Sequence, residues 1–206
     1  MIPAIVLAAG KSSRMGRPKA LLPIGPDGDT FLTRILRELR AGGVTHAFVV
    51  IGGDAPAVKA TLPATDRFIT VVENEHYEQG QLSSLLAGLA AAESRYPDAD
   101  AVIVTLVDLP LISAATVRAV LEAYGRVPDA PIVRPRRGIR RGHPVVFGRR
   151  VFAELKTADP SLGAKPVVRA HAAEEVNIDV VDDGPFTDID TPEDYERFIV
   201  PTLSYK

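Results

Sequence analysis

Short runs of β-branched and other apolar residues alternate with helical patterns along the chain, and most of the runs lack polar alternation. The runs are Ile2–Leu7, Ala47–Ile51, Ile69–Glu73, Ala101–Val107 and Pro131–Arg134, with Pro144–Phe147 and Val176–Val181 later. A strand that is apolar on every residue must be covered on both faces, which is the condition of a mostly parallel sheet. Between the runs, Phe31, Leu32, Ile35, Leu36 and Leu39 repeat at helical spacing within Thr30–Gly42, as do Leu85, Leu86, Leu89 and Ala92 within Ser83–Arg95. A further helix is expected behind a Ser113 cap. Another is expected from Thr191-Pro192-Glu193-Asp194 to Pro201, with a capping threonine, proline at the first turn and acids at the positive dipole end. Strands alternating with helices predict βαβ units in a three-layer α/β/α sandwich with a Rossmann-like, mostly parallel sheet. At 206 residues, one domain spanning 1–206 is expected.

Net charge is −2, so bulk attraction to nucleic acid or an anionic membrane is not indicated. Cysteine is absent, which excludes disulfides, thiolate nucleophiles and thiolate-held metals, and fits a reducing compartment. The apolar start Met1–Leu7 is too short to span a membrane and lacks a basic leader, so a cytoplasmic protein is expected.

In an open α/β sheet, ligands sit beyond the carboxyl ends of the strands. Directly after the first run come Leu7-Ala8-Ala9-Gly10-Lys11-Ser12-Ser13-Arg14-Met15-Gly16-Arg17-Pro18-Lys19. Small residues let backbone N–H groups approach an anion, and Arg14 and Lys19 supply charge, so the loop suits a polyphosphate. A Walker A loop is excluded, because the glycine it needs five residues before Gly10 is Ile5, and G-x-G-x-x-G is absent. Composition alone leaves a flexible basic loop equally open.

The segment resembles the L-A-A-G-x-S-x-R-M-G-x-P-K signature of MobA/MocA-like nucleotidyltransferases, matching every defined position. The resemblance implies the nucleotide-diphospho-sugar transferase type of sheet. It also implies a loop of Leu7, Ala8, Ala9, Gly10 and Ser12 around a triphosphate, with Arg14 and Lys19 neutralising it.

Asp108, in Thr105-Leu106-Val107-Asp108-Leu109-Pro110, stands at the end of an apolar strand. Position alone slightly favours a turn-capping carboxylate over a magnesium ligand. The resemblance reverses that order, since Asp-x-Pro here is the family's metal element. Asp188-Ile189-Asp190-Thr191-Pro192-Glu193-Asp194 resembles the family's closing D-I-D-T-P-E-D, which makes Asp190 a second Mg²⁺ ligand and leaves Asp188 open. Glu193 and Asp194 are sufficiently explained as first-turn acids.

The stretch from Asn74 to Leu85 resembles the family's N-x4-5-G-x-S-S-L element, implying Asn74, Gly80, Gln81 and Ser83 at the nucleotide. Helix capping explains Ser83 and Ser84 equally well. His76 reads as a surface residue. Arg134–Arg141 is the densest positive run and by itself reads as a solvated hairpin tip. Gly142-His143-Pro144-Val145-Val146-Phe147 resembles a G-H-P-V-x-F element beside the acceptor, implying a basic flap with His143 nearest the substrate. Lys165 is a further substrate contact by resemblance to a G-A-R/K element. Gly25–Asp29 is longer than the family's usual turn and reads as a surface extension.

These parts predict nucleotidyl transfer from a triphosphate to a phosphorylated small molecule, with Arg14, Lys19 and Asp108 as the catalytic set. Ala9 is typical of the cytidylyltransferase side of the family, so the expected donor is CTP and the expected acceptor molybdopterin. A guanylyltransferase, a transferase for another sugar or alcohol phosphate, and a cofactor-delivery module without turnover are the alternatives. Transient contact with an apo-molybdoenzyme or its cofactor carrier is also expected.

Overall fold

The computed structural model describes residues 1–53, 55–63 and 65–203. Ten strands are described: β1 Ala4–Ala8, β2 Pro23–Ile24, β3 Asp29–Thr30, β4 Ala47–Ile51, β5 Ile69–Glu73, β6 Ala101–Leu106, β7 Ile132–Arg137, β8 Arg140–Arg141, β9 Val145–Gly148 and β10 Val176–Asp179. The helices are α1 Phe31–Ala41, α2 Ala55–Thr61, α3 Gln81–Arg95, α4 Ala114–Arg126, α5 Phe152–Thr157, α6 Lys165–Ala170, α7 Pro192–Phe198 and α8 Val200–Leu203.

The main sheet runs β5-β4-β1-β6-β9-β7-β10, with β8 folded back on β7. β1 pairs in parallel with β4 and β6, β4 with β5, and β7 with β10, while β9 runs against both its neighbours. The sheet is therefore mostly parallel, as the unbroken apolar runs predict. Every residue of β1 and β4 is buried, because helices cover both faces.

Alternate side chains of β1 serve opposite cores. Ala4, Val6 and Ala8 pack with Phe31, Leu32, Ile35 and Leu39 of α1 and with Val117 and Val120 of α4. Ile5 and Leu7 face Leu82, Leu85 and Leu89 of α3, with Phe152 and Leu155 of α5 beyond. Leu39 is fully buried, so Leu39→Ala would cost about 2–5 kcal/mol through lost transfer energy and a cavity.

Helix starts follow their caps. The Thr30 hydroxyl accepts from the Thr33 N–H in a capping box, and Ser113 accepts from Thr116 N–H at 3.3 Å. Gly25–Gly28 is the turn of the small β2–β3 hairpin and Asp29 opens its second strand. The arginine run forms β7 and β8, with Ile139 fully exposed at its tip.

Candidate active site

β1 delivers the glycine–serine loop to the carboxyl end of the sheet. Ser12 has a left-handed backbone, φ 49°, rare for a residue with a side chain, and strain of this kind concentrates at working sites. Its carbonyl accepts from Met15 and Gly16 N–H, and its hydroxyl accepts from Lys19 N–H at 3.0 Å. The loop thus closes on itself and turns the Lys19 side chain inward.

Lys19 is buried, and its ammonium reaches Asp190 Oδ1 at 2.5 Å and Asp108 Oδ2 at 3.6 Å. Arg14, largely exposed, holds Asp190 Oδ2 at 2.9 Å. The two acids come from separate parts of the chain, the middle and the C-terminal segment, and are tied by Ile189 N–H donating to the Asp108 carbonyl at 2.8 Å. Asp190 is braced from behind: the Asp194 carboxylate accepts from the N–H groups of Asp190 and Thr191 and from the Thr191 hydroxyl.

The acids are not equivalent. The Lys19 hydrogen bond, with Arg14 beside it, holds Asp190 below the usual carboxylate range. Burial pushes Asp108 up, Lys19 partly offsets this, and the charges of Asp188 and Asp190 add to the rise. Asp188 is also raised, by burial of its inner side and by Asp190. Asp108 Oδ1 is buried without a hydrogen-bond partner among the described residues.

An orphaned oxygen within a cluster of mutually repelling carboxylates suits a hard divalent cation. Among the described residues no three acids or histidines converge on one point. The donor set therefore fits an ion held by two carboxylates and completed by phosphate oxygens and water, the habit of Mg²⁺.

Leu7, Ala9, Gly10, Ser12, Arg14, Lys19, Gly80, Gln81, Asp108 and Asp190 line one cleft of about 300 Å³. Five of the expected nucleotide and substrate residues, Ala8, Asn74, Ser83, His143 and Lys165, do not line it. Ala8 points its side chain into the core as the last residue of β1. Asn74 is buried behind the wall as a bracket, its amide donating to Ser83 and Ser84 at 2.9 and 3.0 Å and its carbonyl accepting from His76 N–H. Ser83 donates to the carbonyls of His76 and Gly80, and it is Ser84 that faces the cleft. Lys165 is exposed at the start of α6 and lines no cleft near the acids. Neither serine caps α3. Gly80, at φ 100°, occupies that position without a side-chain bond.

His143 lies in an adjoining cleft with Leu109, Arg140, Arg141, Phe186 and Asp188. Burial, with Arg134 nearby, lowers its pKa to about 4, so it is neutral at pH 7. The expected basic flap is charge-paired: Arg134 and Arg141 meet Glu175, Arg136 meets Asp179, and Arg137 and Arg140 meet Asp183. The cleft also contains Ser13, Tyr77, Leu106 and Val107, which the sequence reading does not select. Leu106 and Val107 adjoin Asp108 and were reachable by proximity. Tyr77 carries no such signal.

A parallel sheet whose strand ends present a cation-lined loop opposite paired carboxylates is the architecture of a nucleotidyltransferase. A family model described as the MobA-like NTP transferase domain matches residues 4–176, and the chain belongs to that family. It is 32% identical over 154 residues to the bifunctional protein GlmU of Sinorhizobium fredii, covering 73% of this chain and 31% of that protein. The chain thus spans about a third of the length of the first curated relatives it matches. A molybdenum cofactor guanylyltransferase of Rhizobium meliloti is 28% identical over 203 residues, covering 95% of this chain and 89% of that one. Among solved structures, Rv0371c of Mycobacterium tuberculosis H37Rv superposes with a TM-score of 0.78 at 32% identity over the whole of both chains. A further structure of that protein is a complex with manganese, with a TM-score of 0.72 at 31% identity and coverage of 96% and 97%.

Proposed function

We propose that this chain transfers a nucleoside monophosphate from a triphosphate to the phosphate of a small acceptor and releases pyrophosphate. The donor is CTP and the acceptor molybdopterin. The observation that carries the reading is the buried Lys19 ammonium, clamped between Asp190 and Asp108 at the open end of the glycine–serine loop.

Without substrate, Lys19 and Arg14 use the acids as partners. A triphosphate offers both cations stronger partners, and their transfer to phosphate oxygens frees Asp108 and Asp190. The freed carboxylates would hold Mg²⁺, which supplies charge neutralisation across the reacting phosphates. An acceptor phosphate oxygen attacks the α-phosphorus, the bond to the bridging oxygen breaks on the far side, and pyrophosphate departs. A phosphate monoester is already ionised near neutral pH, so the step needs no general base. The neutral His143 is then an orienting donor or acceptor for the acceptor molecule. Loop backbone, Arg14 and Lys19 stabilise charge as it moves onto the leaving group.

Ala9 supports CTP through the resemblance it carries. The Rhizobium meliloti guanylyltransferase favours a second reading, GTP with the same acceptor. The reading places the protein in the cytoplasm; among the described residues no helix is long and apolar enough to cross a membrane. Delivery of the product to an apo-molybdoenzyme or its carrier belongs to the same reading.

Pyrophosphate release with each NTP, with and without molybdopterin and Mg²⁺, tests the proposal. Release with CTP and acceptor supports it, and release with GTP alone moves the chain to the second reading. NTP binding without release by either route sinks the transferase reading in favour of a delivery module.

A further inference from the structure

Sheet order gives the cleft a direction. Asp108 follows β6, the glycine–serine loop follows β1, Gly52-Gly53 follows β4 and Asn74–Gly80 follows β5, so these groups succeed one another along one sheet edge. Asp108, Asp190, Lys19 and Arg14 fill one end. A triphosphate drawn there leaves its nucleoside toward Tyr77, Gly80 and Gln81 at the other.

Tyr77 is seated at that end on two glycines. A Cβ at residue 52 would lie 2.7 Å from Tyr77 Cγ, and one at residue 53 would lie 2.8 Å from its hydroxyl oxygen. The ring therefore runs along the Gly52-Gly53 dipeptide, in a space that only glycine leaves open. Lys11, in the facing loop, pairs at 2.7 Å with Glu78, the residue after Tyr77, and its ammonium is 6.0 Å from the ring centroid. That pair ties the wall bearing the ring to the loop opposite. Tyr77 belongs to neither apolar core, so its ring is held for the cleft rather than for the sheet.

We infer that Tyr77 is the stacking platform for the nucleobase, supplying affinity for any base while the choice among bases falls to groups meeting the base edge. The inference rests on the nucleotidyltransferase reading above. Every base has a π-face, so an aromatic platform is tolerant of base identity, and its loss weakens binding by roughly 5- to 150-fold.

Tyr77→Phe and Tyr77→Leu separate the ring's face from its bulk. Calorimetric titration with CTP and with GTP in Mg²⁺ is expected to leave the Phe variant near wild type. The Leu variant should lose affinity for both nucleotides by a similar factor, on the order of tenfold or more. Leu binding as wild type does would reduce the ring to packing, and loss confined to one nucleotide would make it a reader of base edge; either overturns the inference. The chain has no tryptophan, so Tyr77→Trp adds a single reporter if Leu fails to fold. Quenching of its emission by NTP supports stacking, and unchanged emission at saturation overturns it. A wild-type chain that binds no NTP would sink the transferase reading and this inference together. Binding by wild type with undiminished binding by the Leu variant removes the platform alone.

Discussion

The acid–cation end of the cleft and the arginine hairpin both crowd opposite charges together, yet they resolve the crowding differently. In the hairpin, five arginines from Arg134 to Arg141 each find an acid among Glu175, Asp179 and Asp183, mostly in the open. In the cleft, Lys19 serves two carboxylates at once, Asp108 keeps an unpartnered buried oxygen, and Asp108 and Asp188 are both raised. Charge density is the same signal in both places. What separates a working site from a solvated surface is burial together with an incomplete set of partners. The hairpin leaves a buried Arg134 Nε without a partner but meets each of its acids with an arginine, whereas in the cleft a carboxylate oxygen of Asp108 goes unmet.

The comparison can be broken most directly at Asp108. Asp108→Ala is expected to cut pyrophosphate release by roughly a hundredfold or more, as loss of a preorganised charge contributor does, while the fold persists. Near-normal turnover would mean that the unpartnered oxygen has no role. His143, where hairpin and cleft meet, gives the next effect. Its pKa falls from 6.5 to about 4 on folding, so between those values the unfolded chain takes up a proton that the folded chain refuses. Stability is therefore lost as pH falls from 6.5 toward 4, by up to roughly 3 kcal/mol. Urea unfolding across that range should show a flatter acid limb for His143→Gln than for wild type. An identical limb would remove the burial argument.

Within the hairpin, Arg134→Ala strips one partner from Glu175, which is only 4% exposed and keeps Arg141 at 3.2 Å. A loss of about 1–3 kcal/mol in denaturant unfolding is expected, with turnover little changed. A large loss of turnover would return the hairpin to the functional side of the comparison. Arg136→Ala, at an exposed pair, should leave both melting and turnover close to wild type, because water replaces what the ion pair provides.

The sheet was legible because strands covered on both faces write themselves as unbroken apolar runs, and Ser113 and Thr191 mark their helices by cap chemistry. Short α2, α5 and α6 went unread: each spans at most two turns, too little for an apolar stripe to repeat. The reversed direction of β9 was not legible either, since pairing sense depends on sheet order. At the site, the resemblance pointed to Lys19, Asp108 and Asp190, but not to their mutual contact, which joins residues far apart in the chain. Asn74 and Ser83 share the cleft's motif while standing one layer behind it. Tyr77 was missed because its position depends on Gly52-Gly53, on another strand end.

The Lys19–Asp190 contact joins residues 171 positions apart. A ribosome adding about 5–20 residues per second finishes the glycine–serine loop some 10–30 s before it reaches residue 190. During that interval the lysine has been made and Asp108 follows it partway through, but Asp190 has not, so the finished clamp does not exist on the nascent chain. The acid–cation cluster is thereby completed only once Asp190 and α7, which braces it through Asp194, have been made and docked.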